Sequence, residues 1–330
     1  MAFQTKSLKD YNRNSYWQYV EGMTTIPSLL EIFDQIDSSN PTSICVVDYG
    51  CSEGYNSMSA LQSALAQFRQ HSSTQIQILH SDLPENDWTA LFTTINNSSN
   101  SYKHLPNVYY SALGQSFYNQ LVPSNSVHLG YSCFAFHFLS RVPVRSGPLV
   151  IFSPEAAIQL VSDMTLTLSH RINELVSKGF LMFLVMAQSE RGSLSFDGIV
   201  YRALKNCESK GILSENDLLN FHYPLMVLDN AQIREVLSRF EGKIEVKLLE
   251  ETKSICPFYT EFVNGGKLED YRKKLSGTVG TLLKGAFLAT LRESDEEKER
   301  LYEKVKQELE ESIGNEEVSA NYFTVILQKL

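Results

Sequence analysis

Short runs of apolar and β-branched residues recur along the chain. Between them lie longer stretches in which apolar positions return every three or four residues. The runs Ile44–Asp48, Ile76–His80, Asn107–Leu113, Ser126–Tyr131, Phe180–Ala187, Ile244–Glu251 and Tyr322–Leu330 read as strands. The intervening periodicity predicts helices over Ser57–Phe68, Asp163–Val176 and Asn230–Arg239. Strands that alternate with helices predict an α/β fold, a largely parallel sheet with helices on both faces.

Two helical stretches exceed what that sandwich needs. Residues 189–223 are amphipathic, and residues 259–317 carry a stripe of Leu301, Val305 and Leu309 amid dense charge. The stripe spacing fits one helix face, and the charge around it reads as a solvated surface. We expect these two segments to form an α-helical cap. Residues 1–188, 224–258 and 318–330 are then the α/β core, with residues 1–20 as an N-terminal lid.

Composition narrows the function. The net charge of −9 argues against a nucleic-acid surface, which needs Lys and Arg in excess. The longest apolar run, Phe180–Ala187, is far below the roughly 20 residues a membrane helix requires. The first residues contain no apolar signal-like run, so a cytoplasmic location is expected. Five cysteines (Cys45, Cys51, Cys133, Cys207 and Cys256) show no paired spacing and read as free thiols. His, Cys and acidic residues lack metal-ligand spacing, so no catalytic metal is expected.

The first strand breaks into a glycine loop, VVDYGCSEGYN, from Val46 to Asn56. A phosphate-cradling loop needs a lysine after its last glycine, but Gly54 precedes Tyr55 and Asn56. A dinucleotide fingerprint needs three closely spaced glycines, and only Gly50 and Gly54 are present. The loop suits S-adenosylmethionine, which carries no phosphate. Asp48, ending the first strand, could meet the cofactor's amino-acid part. Asp82, ending the second, could take the ribose hydroxyls, with Leu83 against the adenine. On this pattern a methyltransferase and a generic α/β fold both stay open.

Longer stretches resemble the SABATH methyltransferases. The matching segments are YNRNSYWQ (Tyr11–Gln18), DYGCSEGYN, SDLPENDWTALF, GQSFYNQLVP (Gly114–Pro123) and SVHLGYSCFAFHFLSRVP (Ser126–Pro143), in the family's order. The resemblance implies a Rossmann-like class I fold and S-adenosylmethionine as cofactor, with S-adenosylhomocysteine as product. It places Ser15, Asp48 and Cys51 at the methionyl end, Asp82 at the ribose, Leu83 at the adenine, and Ser116 with Phe117 closing that site. Tyr11, Gly50 and Asn56 lie in the same motifs and join the cofactor set.

Gln18 matches the family glutamine that hydrogen-bonds a substrate carboxylate. Phe138 stands where the family has a substrate-anchoring tryptophan, so an indole N–H is missing and neighbouring His137 is the replacement donor. Gln18 and His137 are therefore the catalytic candidates, and Phe134, His137 and Phe138 would line the substrate pocket with Gln18. The resemblance further implies a small-molecule acceptor, a carboxylic acid first, and a homodimer. Methylation of a heterocycle or phenol, or a silent cofactor-binding relative, are the alternatives. His80 and His128 lie inside predicted strands and read as structural.

Overall fold

The computed structural model describes residues 11–37, 41–141, 154–188, 196–221, 227–291 and 293–330. Residues 1–10 of the expected lid and residues 189–195, 222–223 and 292 of the expected cap lie outside that set. The strands are β1 (Ser43–Tyr49), β2 (Gln75–Asp82), β3 (Val108–Gly114), β4 (Val127–Cys133), β5 (Leu175–Ala187), β6 (Ile244–Ile255) and β7 (Ser319–Lys329). They form one seven-stranded sheet in the order β3-β2-β1-β4-β5-β7-β6. The first five neighbours run parallel, while β7 is antiparallel to both β5 and β6.

The helices are α1 (Tyr11–Asn14), α2 (Tyr16–Met23), α3 (Ile26–Asp37), α4 (Tyr55–Phe68), α5 (Trp88–Asn97), α6 (Pro154–Glu174), α7 (Phe196–Ser209) and α8 (Glu215–Asn220). They continue as α9 (Asn230–Ser238), α10 (Pro257–Val263), α11 (Leu268–Thr290) and α12 (Asp295–Ser312), and a short 3₁₀ turn covers Tyr102–His104. The central strands are apolar on both faces because both are covered. Leu29, Phe33, Leu61 and Phe68 of α3 and α4 cover one face, and Leu160, Leu168, Ile233 and Val236 of α6 and α9 cover the other.

One boundary moved for a local reason. The periodicity carries a helix through Val176, but α6 stops at Glu174 and β5 begins at Leu175. Leu175 pairs with Val127, and the ladder resumes only at Phe180 after Lys178 turns to a φ of 65°. That irregularity is invisible to a period count, which smooths over a single left-handed residue.

Helices from the two stretches outside the sandwich share one hydrophobic cluster. Ile199, Leu204 and Phe221 from the first pack with Tyr271, Leu283, Phe287, Val305 and Leu309 from the second, and Trp17 of α2 joins them. The indole of Trp17 also donates to Ser254 Oγ at 2.6 Å, tying the N-terminal helix to β6.

The strand order reverses direction between β1 and β4, since β2 lies on one side of β1 and β4 on the other. At such a switch point the loops after the two strands diverge and leave a crevice at the carboxyl ends. All the loops described next leave the sheet at that edge.

Candidate functional site

A cavity of about 460 Å³ opens at the switch point. Its wall comes from the ends of four strands: Asp48 and Gly50–Ser52 after β1, Asp82–Glu85 after β2, Gly114–Asn119 after β3, and Cys133–Ala135 with Phe138–Ser140 after β4. Tyr11, Asn56 and Ser57 close it from the N-terminal segment and α4.

The glycine loop achieves close approach through left-handed backbone. Gly50 has φ 78° and Gly54 φ 81°, and Ser52 between them has φ 48°. A Cβ on Gly50 would sit 2.3 Å from the Cβ of Ala135, so no side chain fits there. The amides of Gly50 and Cys51 both donate to Ser81 O, at 2.8 and 3.1 Å, which fixes the turn against β2.

The two strand-end acids are held differently. Asp82 accepts Ser52 N–H on one oxygen and Leu83 N–H on the other, each at 2.7 Å. Burial pushes its carboxyl up to about 6, with Asp48 and Glu85 adding to the rise and the two backbone donors opposing it. Asp48 is 1% exposed and accepts on a single oxygen, from Ser57 Oγ at 2.6 Å and from the His80 ring at 2.8 Å. Cys51 lies beside both acids, and burial together with their charge raises its thiol well above the ordinary range, so it stays protonated.

The N-terminal segment is stitched over this loop. Asn12 donates its backbone N–H to Glu53 at 3.0 Å and accepts from Tyr55 N–H at 3.2 Å. Ser15 is buried and accepts from Asn56 Nδ2 at 3.2 Å. Ser15 therefore stands behind the lining residue Asn56, while Tyr11 lines the cavity directly. Burial raises the Tyr11 hydroxyl far above its usual range, and Asn56 hydrogen-bonds it.

The loop after β3 rests on a buried ion pair. Arg171 donates to Phe117 O at 2.9 Å, to Asn119 O at 2.7 Å and to Glu174 at 2.8 Å. Glu174 in turn accepts from Leu121 N–H at 2.6 Å and from Tyr49 at 2.8 Å. Both charged side chains have 0% exposure. Ser116 and Phe117 thus reach the cavity on a loop whose carbonyls are clamped from below.

After β4 the chain makes a turn rather than a helix. Phe134 has φ 58°, an uncommon conformation for a bulky residue, and its ring packs edge-on against Tyr322 at 5.4 Å. Phe134 and Phe138 both line the cavity, and the Phe138 carbonyl accepts from the Tyr118 hydroxyl. The spacing that would put these phenylalanines on one helix face brings them together instead through the turn.

Besides Ser15, two further candidate residues lie outside the lining set. His137 is 2% exposed, its Nδ1 accepts from Met186 N–H at 3.3 Å, and burial lowers its ring to about 3. Gln18 has a buried side-chain oxygen with no hydrogen-bond partner among the described residues. The loop anchors Arg171 and Glu174 escaped sequence reasoning, and His80, the partner of Asp48, was read there only as a structural residue. Only His80 had a sequence signal, a polar residue in the strand that ends at Asp82.

Parallel strands, the order reversal and glycine-assisted loops at the carboxyl edge define the Rossmann-like fold of class I methyltransferases. A solved structure, loganic acid methyltransferase with SAH, superposes on it with a TM-score of 0.75, covering 97% of this chain and 96% of that one at 17% identity. Residues 4–147 match the family model described as SAM dependent carboxyl methyltransferase. Salicylate/benzoate carboxyl methyltransferase of Arabidopsis thaliana is 31% identical over 242 residues, which span 64% of this chain and 62% of that protein. Anthranilate O-methyltransferase 2 of Zea mays is 26% identical over 264 residues, 69% of this chain and 71% of that protein. The chain is thus similar to SAM dependent carboxyl methyltransferases, most clearly over residues 4–147, at 26–31% identity to these two relatives.

Proposed function

We propose that the protein transfers a methyl group from S-adenosylmethionine to the carboxylate of a small molecule, giving a methyl ester. The observation that carries this reading is the 460 Å³ cavity with Asp48 and Asp82 at adjacent strand ends and Gly50 pressed against Ala135. The residues suit the cofactor. Asp82 offers a carboxylate to a ribose diol, Leu83 and Phe117 offer apolar faces to an adenine, and Asp48 offers an anion to an ammonium. Ser15, Cys51, Asn56, Tyr11 and Ser116 complete the proposed cofactor set.

When bound, the cofactor supplies an activated methyl on a sulfonium. The acceptor needs no general base, because a carboxylic acid with pKa near about 4 is already ionised at neutral pH. The chain's task is orientation and exclusion of water, which can be worth on the order of 7–11 kcal/mol. Gln18 would orient the acceptor by donating its Nε2–H to the carboxylate, and Phe134 and Phe138 would wall it. His137 enters this proposal as a neutral group, since its lowered ring does not carry charge near pH 7. The helices of residues 189–223 and 259–317 would cap the acceptor end. A homodimer and a cytoplasmic setting belong to the same proposal, the latter supported by five unpaired cysteines.

Transfer of labelled methyl to a panel of aromatic, fatty, terpenoid and indole acids tests the reaction. Base-labile ester product is the expected outcome. Label found only on phenols or heterocyclic nitrogens would replace the ester reading with the N- or O-methylation alternative. Tight S-adenosylmethionine binding without transfer to any acceptor class would support a silent relative.

A further inference from the structure

Asp48 is the most deeply buried charge-bearing group in the cavity wall, and no Lys or Arg pairs with it among the described residues. Its environment is built by residues outside every motif named above. His80 lies directly opposite Asp48 in the parallel β1–β2 register and has 0% exposure. One ring nitrogen, Nδ1, is 2.8 Å from Asp48 Oδ2, and the other, Nε2, is 2.5 Å from the Tyr102 hydroxyl. Tyr102 is itself fully buried at the 3₁₀ turn after α5.

We propose that Tyr102 and His80 form a buried relay that positions Asp48 to receive the ammonium of the cofactor's amino-acid end. This rests on the cofactor reading given above. In this relay the Tyr102 hydroxyl, kept protonated by burial, donates to Nε2, and the imidazole carries its proton on Nδ1 toward Asp48. The hydroxyl of Ser57 donates to the same oxygen at 2.6 Å. Both donors therefore converge on Oδ2. Oδ1 has no protein partner among the described residues, and Asp48 lines the cavity. A buried carboxylate held by neutral donors still lacks a counter-charge, and a ligand ammonium supplies one.

Asp48, Cys51 and His80 also place one donor atom each within 4.8 Å of the others, which raises a metal site as a rival. Two ligands on one tetrahedral ion at bond lengths of about 2.0–2.1 Å stand roughly 3.3 Å apart. The 2.8 Å contact between Asp48 and His80 is a hydrogen bond instead.

Calorimetry on the whole chain with two probes tests the relay. S-adenosylhomocysteine carries the ammonium, and 5′-methylthioadenosine keeps the nucleoside and thioether but lacks the amino-acid end. His80→Leu removes the donor while filling buried volume, and His80→Asn keeps an N–H near the Nδ1 position. The expected result is a loss of about tenfold or more in S-adenosylhomocysteine affinity for His80→Leu, or ~1.4 kcal/mol. Methylthioadenosine affinity should stay within about twofold, His80→Asn should recover most of the loss, and Tyr102→Phe should give a smaller, equally selective loss. Unchanged affinity for both probes in His80→Leu, or equal loss of both, would overturn the relay. If His80→Leu does not fold, equal effects on both probes in His80→Asn and Tyr102→Phe would overturn it. Wild-type protein that binds neither probe would overturn the cofactor reading and the relay with it.

Discussion

Arg171→Met isolates the buried ion pair under the loop after β3. The guanidinium has 0% exposure, bonds Glu174 at 2.8 Å and two loop carbonyls, and sits 4.4 Å from the Tyr49 ring centroid. Methionine fills much of the volume but leaves Glu174 charged and buried without its cation, a change worth about 3–5 kcal/mol. The released carbonyls of Phe117 and Asn119 can turn toward the cavity and find water, so they add little to that figure. For 330 residues, an unfolding entropy of about 2.1 cal/mol/K per residue gives ~0.7 kcal/mol/K. A loss of about 4 kcal/mol then lowers Tm by roughly 6 °C. Differential scanning calorimetry of Arg171→Met, Glu174→Leu and the double variant reads both the loss and the coupling. The double variant should lose well under the sum of the two single losses, because it removes both charges together. A Tm within about 1 °C of wild type for Arg171→Met, or strictly additive singles, would refute the claim that the pair acts as one unit.

Raising Asp82 to about 6 means that the folded protein holds a proton between roughly pH 4 and 6 that the unfolded chain has lost. Stability from this group therefore falls as pH rises through that window, while ribose binding needs the ionised form. S-adenosylhomocysteine affinity should weaken about tenfold from pH 7.5 to 5, where one tenth of the group is ionised, and Asp82→Asn should abolish that dependence; a flat wild-type profile corrected for scaffold stability would count against it. Gly50→Ala meets Ala135 at 2.3 Å and a φ of 78°, so it should cost about 1–3 kcal/mol of stability and most cofactor affinity, and normal binding would refute the close-approach account. Phe138→Trp restores an indole donor at the pocket wall and should raise kcat/KM for acid acceptors severalfold, worth about 1 kcal/mol, and an unchanged value would remove position 138 from acceptor anchoring.

Local rules were enough to reveal the sandwich. Strand β1 reads as a run from Ile44 to Val47 because both its faces are covered, while β2 opens with exposed Gln75 and Gln77 alternating with buried Ile76 and Ile78, and either pattern marks a strand. Asp48 and Asp82 were legible for the same reason, as charges at the ends of apolar runs, and Gly50 and Gly54 as breaks in side-chain bulk. Tertiary structure decided what those residues face. Only the strand order brings four loops to one crevice, and only the parallel register sets His80 beside Asp48, 32 positions away. Arg171 and Glu174 look like ordinary polar positions of a surface helix until the loop from Phe117 to Val122 folds beneath them. Phe134 and Phe138 carry a helical spacing, yet the left-handed Phe134 turns the chain directly after β4. Apolar periodicity reports which face of an element is covered. It is silent on long-range polar partners, whose energies depend on a dry environment that exists only once the sheet and its helices have closed over them.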